Sequence, residues 1–364
     1  MTDTRIAPQA MLQKRVYLTH GEPLWRRILL THESMIWATA VVVALIAVAT
    51  VPHFASPLTL SFLLLDLTPI MLCALPVALV LVSGEIDLSI ASAVGISNVM
   101  LGWLFAHGFP LPVAIGAAIL CGAVVGLVNG ILVAVVGLPS LAVTIGTLAL
   151  FRGIAVGMLG TDSVTNFPVE VKLLANGNLP GTGVPLIMIL VLVAIAAFGT
   201  LLHATPFGRA VFAVGRGPDT ARFSGIRTVR LKFVLFLMSG LLAGIAGVFY
   251  TFRYGSSRGD NATGLELAVI AGIVLGGVSI FGGRGRIIGV IGGVLLIGIV
   301  QSTLRFLNGS DDTINIAIGG LLVASVVLPP VISRAAHTFA TARRQRAVPP
   351  GTAESLHLKG RLGK

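Results

Sequence analysis

Charge is what this sequence has least of: Asp, Glu, Lys and Arg make up 11% of its 364 residues, where a soluble domain carries about a quarter. With 55% hydrophobic residues and a mean hydropathy of +0.97, that scarcity excludes a soluble globular protein. Cysteine is nearly absent. Cys73 and Cys121 both lie inside apolar runs, which excludes a disulfide framework or a thiolate metal site and leaves two small buried hydrophobes. Aromatics are thin, with three Trp and three Tyr, so no stacking platform for a sugar ring stands out. No GxxxxGK[ST] phosphate loop occurs, so the chain is not by itself a P-loop ATPase. Seven histidines are scattered without ligand spacing, and no nucleophile sits at a fixed offset from a base. Neither an enzyme nor a bound metal or cofactor is therefore expected.

What remains is a succession of apolar segments of bilayer-crossing length. A polar arm over residues 1–33 precedes them, too long for the basic start of a secretory signal. Ten spans follow, over about 34–51, 58–82, 86–106, 111–135, 140–159, 184–203, 233–252, 264–281, 287–307 and 313–332. A basic tail over 333–364 closes the chain. The expectation is an all-α polytopic bundle of about ten transmembrane helices.

Basic residues orient it. With both termini inside, the arm, the 205–232 loop, the turn at Gly282–Arg286 and the tail hold twenty Lys and Arg, against three outside (Lys172, Arg253, Arg258). Such a bias places both termini and the 205–232 loop in the cytoplasm. The net charge of +11 is then accounted for by topology and anionic membrane lipid, not by nucleic acid, for which no basic soluble domain exists.

Glycines recur at four-residue spacing: Gly122, Gly126 and Gly130; Gly285, Gly289 and Gly293; Gly240 with Gly244; Gly272 with Gly276. Such stripes bring helix backbones together, the main source of packing energy between helices in lipid. The even span count allows an inverted repeat of five plus five. Against it, both triple stripes fall in the cytoplasmic half of their spans.

Polar groups inside spans are costly and need partners, water or an interface. Glu85 and Asp87 interrupt LVSGEIDLSIAS, where Gly84 allows a break and Asp87 an N-cap to a new helix. Glu85 is otherwise placed at the inner mouth of a translocation route. Asn98, Asn129, Thr144, Thr147 and Gln301 either bond neighbouring helices or solvate a polar solute in a passage. Arg152 requires a partner. Asp66, near Pro69 and Pro76, marks an irregular second span. GRGR at Gly283–Arg286 looks phosphate-friendly but is short, and reads as a tight basic turn.

Three runs in order resemble one family: VLVSGEIDLSIASAVG, TPFGRAVFAVGRGPDTARFSGI and ELAVIAGIVLGGVSIFGGRGRIIGVIGG. They look like the permease of bacterial ABC importers for monosaccharides, the group that takes ribose, xylose, rhamnose and autoinducer sugars. The resemblance implies a type II importer-like fold and a cytoplasmic-membrane location. Its implied partners are two ATP-binding cassette subunits, a second permease copy or paralogue, and a periplasmic sugar-binding protein. It implies that Gly208, Arg209, Ala213, Gly215, Ala221, Ser224, Gly225 and Ile226 couple the chain to the ATPases, on short helices broken at Gly217 and Pro218. Two positions depart from its pattern, which often has Asn at Gly217 and Gly or Arg at Glu85. Overall likeness leans to a deoxyhexose such as rhamnose, or an autoinducer-type sugar, over ribose. The alternative is an ion- or proton-coupled secondary transporter of a small polar solute, for which Asp66 and Glu85 are the candidate carboxylates.

A Gly225→Pro change is expected to abolish ATP-driven uptake while membrane insertion, followed by fractionation and immunoblot, stays intact. Normal uptake by that variant contradicts the coupling role.

Overall fold

The computed structural model describes residues 31–327, and within them the chain is helical. Helix α1 (His32–Thr50) starts where the Thr31 hydroxyl accepts the Ser34 N–H. Helix α2 (Pro57–Val82) is capped likewise by Ser56, which accepts from Thr59 N at 3.1 Å, each cap meeting an otherwise orphaned donor. Helices α3 (Ile90–Ala106) and α4 (Leu111–Gly130) follow, α4 ending in a π-helical turn, Ile131–Val135. Next come α5 (Ser140–Leu159), the short α6 (Val169–Asn176) and α7 (Met188–Ala204). Two small helices lie across the end of the bundle, α8 (Pro206–Arg216) and α9 (Pro218–Phe223). Then α10 (Thr228–Tyr254), α11 (Leu265–Leu275), α12 (Ile287–Phe306) and α13, over residues 311–327, complete the described chain.

Among the described residues, six helices are long and apolar enough to cross a membrane: α1, α2, α4, α5, α10 and α12. The pair α7 and α8, bent by 67°, makes a seventh if taken as one span. Each of the ten expected segments contains a helix, but three are shorter than expected, the sixth beginning only at Met188. The third starts at Ile90, because the chain breaks at Gly84 (φ +86). The eighth ends at Leu275, where Gly276 and Gly277 (φ +85) turn the chain away. Helix α6 arises in the polar stretch between the fifth and sixth segments. The arm through residue 30 and the tail lie outside the described residues.

Helix α2 is the centre, with 94% of its apolar window buried; α1, at 17%, lies on the periphery. Helix α10 packs most extensively on α4, and also on α3 and α2. The α4–α10 seam is built on glycine. A methyl group at Gly126 would overlap the Phe236 carbonyl oxygen, and one at Gly122 would come within 2.6 Å of the Gly244 backbone. Gly240 faces Gly122 and Gly126 from the other side. A second seam pairs Gly272 and Gly276 of α11 with Gly289 and Gly293 of α12. The tetrad spacing read from the sequence thus marks two backbone-to-backbone contacts. Each gains the close dispersion contact that lipid does not supply by any hydrophobic drive.

Replacing Gly126 by Leu is expected to destabilise the detergent-purified protein by about 3 kcal/mol, the upper range for overpacking. Gly116→Leu on the same helix, where an added Cβ meets nothing within 4 Å, should change stability by less than about 0.5 kcal/mol. Unfolding curves of the two variants check this.

Candidate functional site

The expected coupling segment forms α8 and α9, broken at Gly217. Thr205 caps α8 by accepting from Gly208 N at 3.3 Å. Alternation of Val211 and Val214 inward with Arg209 and Arg216 outward makes α8 amphipathic, so it lies flat on the bundle. Gly208 packs on the Leu201 and Leu202 carbonyls. Gly215 sits against the Val82 carbonyl at the end of α2, and the same carbonyl accepts from Gly283 N at 2.8 Å. Gly84 and Gly282 close the knot, a Cβ on Gly282 falling 2.8 Å from the Gly84 Cα. Three chain segments therefore meet backbone to backbone: the coupling helix, the break between α2 and α3, and the turn between α11 and α12. On α9 and after it, Ala221 is buried and Ile226 half-buried, while Arg222, Phe223, Ser224 and Gly225 (φ +85) are exposed, Phe223 at 92%. Ala213 is half-buried against the core.

At the same end Glu85 pairs with Lys232 of α10. The pair lines a recess of about 340 Å³ with Gly137, Leu138 and Thr228. Asp87 is fully enclosed and does not occupy the N-cap position expected of it, which is Ser89. Its Oδ1 accepts from Ser89 N (3.0 Å) and Ser89 Oγ (2.6 Å), and its Oδ2 from Ser239 Oγ of α10 (2.7 Å). A turn closed by its own side chain competes successfully with a helix cap here. The chain of bonds continues: Asn129 Nδ2 donates to Ser89 Oγ (2.7 Å) and Thr147 Oγ1 to Asn129 Oδ1 (2.8 Å). Thr144 donates to the Ser140 carbonyl at 2.9 Å and the Ile86 carbonyl at 3.2 Å.

Asn98 acts at the opposite end. Its Nδ2 donates to Thr251 Oγ1 (2.7 Å), while its Oδ1 accepts from Arg258 N and Asn261 Nδ2, both at 3.1 Å. Arg152 finds backbone partners, the carbonyls of Asn261 (2.6 Å) and Gly259 (3.2 Å). Of the six residues considered for a passage, Asn98, Asn129, Thr144 and Thr147 thus spend their polar atoms fastening helices. Gln301 lines a polar cavity of about 570 Å³, with Asp66, Tyr250, Tyr254, Asn261, Arg305 and Asn315.

That cavity opens at the end opposite α8. Asp66 lies roughly 14 Å along α2 from Pro57, at 1.5 Å per residue. Its Oδ1 accepts from Arg253 Nη2 at 3.0 Å and its Oδ2 from Arg305 Nη1 at 3.2 Å. Tyr250 and Tyr254 stand one turn apart with ring centroids 4.5 Å apart. Sparse aromatics had argued against a stacking platform, yet two of the three tyrosines converge on this cavity. Their four-residue spacing on one helix was the available signal. Among the described residues, no group of His, Cys, Asp and Glu could hold a metal ion.

Comparison with known proteins agrees with the membrane architecture. A family model described as "Branched-chain amino acid transport system / permease component" matches residues 59–326. The chain is similar to the autoinducer 2 import system permease protein LsrD of Yersinia enterocolitica, 36% identical over 278 residues, 75% of this chain and 83% of that one. The LsrD proteins of Yersinia pseudotuberculosis serotype O:1b and Yersinia pestis strain Pestoides F are 36% and 35% identical over the same shares. No solved structure matches.

Truncating Asp87 to Ala strands three buried donors and is expected to destabilise the protein by about 3 kcal/mol, whereas Ser239→Ala, which removes one of them, costs about 1 kcal/mol. Chemical denaturation of the purified variants measures both.

Proposed function

We infer the function from one premise: this chain belongs to the family of transport-system permease components whose model spans its residues 59–326. It is a multi-pass membrane permease. Beyond that, we propose that it is the translocation subunit of an ATP-driven ABC importer in a bacterial inner membrane, with both termini cytoplasmic. ATP is hydrolysed on two separate cassette subunits, a second permease copy or paralogue completes the pore, and a periplasmic binding protein delivers the solute. In this reading residues 34–332 form the permease domain, flanked by the cytoplasmic arm and tail.

The observation that carries the proposal is the contact of Gly215 with Val82. An ATPase pressing on Gly208, Arg209, Ala213, Gly215, Ala221, Ser224, Gly225 and Ile226 pushes on the end of α2 through backbone, with no flexible side chain between. Backbone transmits displacement where a side chain would absorb it by changing rotamer. Sixteen residues up the same helix, about 24 Å at helical rise, Asp66 lines the far cavity. Force at one end of α2 therefore moves a wall of the cavity at the other. The cavity is the passage's outer mouth, with Gln301 in its wall, and Glu85 borders the inner recess.

The solute we propose is a neutral monosaccharide of the autoinducer or deoxyhexose type. Similarity to the LsrD permeases supports it. So does the chemistry of the cavity, whose Asp66 is already matched by Arg253 and Arg305. Hydroxyl-bearing solutes find donors, acceptors and tyrosine faces there.

Proteoliposomes holding the permease, its ATPases and its binding protein are expected to take up autoinducer-2-type sugar with ATP after the proton and sodium gradients are collapsed. Leucine should not compete. Gly215→Val is expected to cut uptake at least about a hundredfold, the scale of a 1 Å misplacement in a coupled site. Uptake driven by a gradient without ATP refutes the ABC reading, and competition by leucine refutes the sugar.

A further inference from the structure

At the α8 end of the bundle the GRGR turn lines an open recess of about 330 Å³ beside the glycine joint. Arg216, Arg284, Arg286 and His203 line it, with Phe212 and one acid, Glu33. Arg286 lies 3.5 Å from Glu33, the only carboxylate on the wall among the described residues. Arg216 and Arg284 make no side-chain hydrogen bond or ion pair among the described residues, although both point to the same space. His203 Nε2 accepts the Ile287 N–H at 3.2 Å, so that nitrogen carries no proton and the cation excess comes from the arginines. Among the described residues His32, packed on Gly277 at the rim, is the remaining titratable neighbour.

Position indicates what the cavity meets. It is bounded by the last turn of α7, the end of α8, the start of α12 and the start of α1. Trp37, one turn into α1, donates Nε1 to the Ile288 carbonyl at 3.2 Å, and tryptophan collects where helix ends meet the headgroup layer. Beside this corner α1 presents Met35, Val42, Leu45 and Ile46, each more than half exposed, an apolar flank along which acyl chains lie. Guanidiniums bind phosphate oxygens through paired N–H donors, and basic pockets between helix ends on the inner leaflet hold anionic headgroups.

We propose that this cavity binds the phosphate headgroup of an anionic phospholipid, with Arg216, Arg284 and Arg286 as its ligands and α1 as the rest for its chains. The lipid anchors the turn that Gly283 fastens to Val82, and with it the joint on which α8 acts.

The full chain in phosphatidylcholine nanodiscs, titrated with phosphatidylglycerol or cardiolipin and read by native mass spectrometry, is expected to retain anionic lipid in preference to phosphatidylcholine. The double variant R284Q/R286Q should bind it roughly thirtyfold more weakly, two cations' worth of surface attraction. R222Q/R230Q removes equal charge at the same end but outside the cavity, and should bind nearly as the parent does. An equal loss in both variants, or no preference over phosphatidylcholine, overturns the proposal. So does displacement of the lipid by millimolar inorganic phosphate, which would make the site one for free anion. Unchanged lipid affinity in R284Q/R286Q with lost co-purification of the ATPase also overturns it, in favour of a protein-docking patch. A melting temperature within a few degrees of the parent, checked first, separates lost binding from misfolding; if R284Q/R286Q melts early, R284Q alone replaces it, and unchanged affinity there overturns the proposal.

Discussion

Close approach of backbone to backbone is the constraint on which this molecule depends. Lipid removes the hydrophobic drive that would hold helices together in water, so association rests on how many atoms touch. Gly122, Gly126 and Gly240 bring α4 and α10 into contact along their length, and Gly272, Gly276, Gly289 and Gly293 do the same for α11 and α12. At the end of the bundle Gly84, Gly215, Gly282 and Gly283 extend the same device from helix packing to a joint between three segments. A side chain at any of these places except Gly84, where the constraint is its φ of +86, forces the segments apart, and it is the distances between them that the proposed transport cycle uses.

Polar residues sort by what surrounds them. Asp87, Ser89, Asn129, Thr147 and Ser239 form a continuous chain of hydrogen bonds between α4, α5, α10 and the break before α3. Asn98 does the same between α3, α10 and the loop after α10. Unsaturated groups would be expensive there, and among the described residues the one buried side-chain atom without a partner is Ser97 Oγ. The remaining polarity lies in cavities at the two ends. One, around Asp66 and the tyrosines, suits a neutral polyol. The other, around Arg216, Arg284 and Arg286, suits an anion.

Helix α2 joins these regions. Its buried middle is almost wholly apolar, so it carries no site of its own. It holds Asp66 in the cavity at one end and the Val82 carbonyl in the glycine joint at the other. This enclosed helix of 26 residues, continuous through Pro69 and Pro76, is densely packed along most of its length, and dense packing allows alternative positions more readily than gradual bending. The family membership supports a membrane permease, and the proposed coupling joint and outer cavity lie at opposite ends of one helix.

Hydropathy and residue pattern alone determined the membrane class, the helical content, the glycine seams and the break at Gly84, while the paired short helices around Gly217 followed from the family resemblance. The former follow from local rules: the transfer cost of charge into lipid, the period of a helix, and the freedom of glycine and the stiffness of proline. Tertiary structure alone decided which polar residues face a cavity and which face a partner. Asn98 and Gln301 look alike in sequence, yet Asn98 meets Thr251 and Asn261 while Gln301 lines open space. It likewise gathered Asp66, Tyr250 and Tyr254 around one cavity, and it ended the eighth apolar segment at Leu275 when length alone favoured a full crossing. Each of these outcomes depends on residues far away in the chain, and a contact between distant residues leaves no period or spacing in sequence from which to read it.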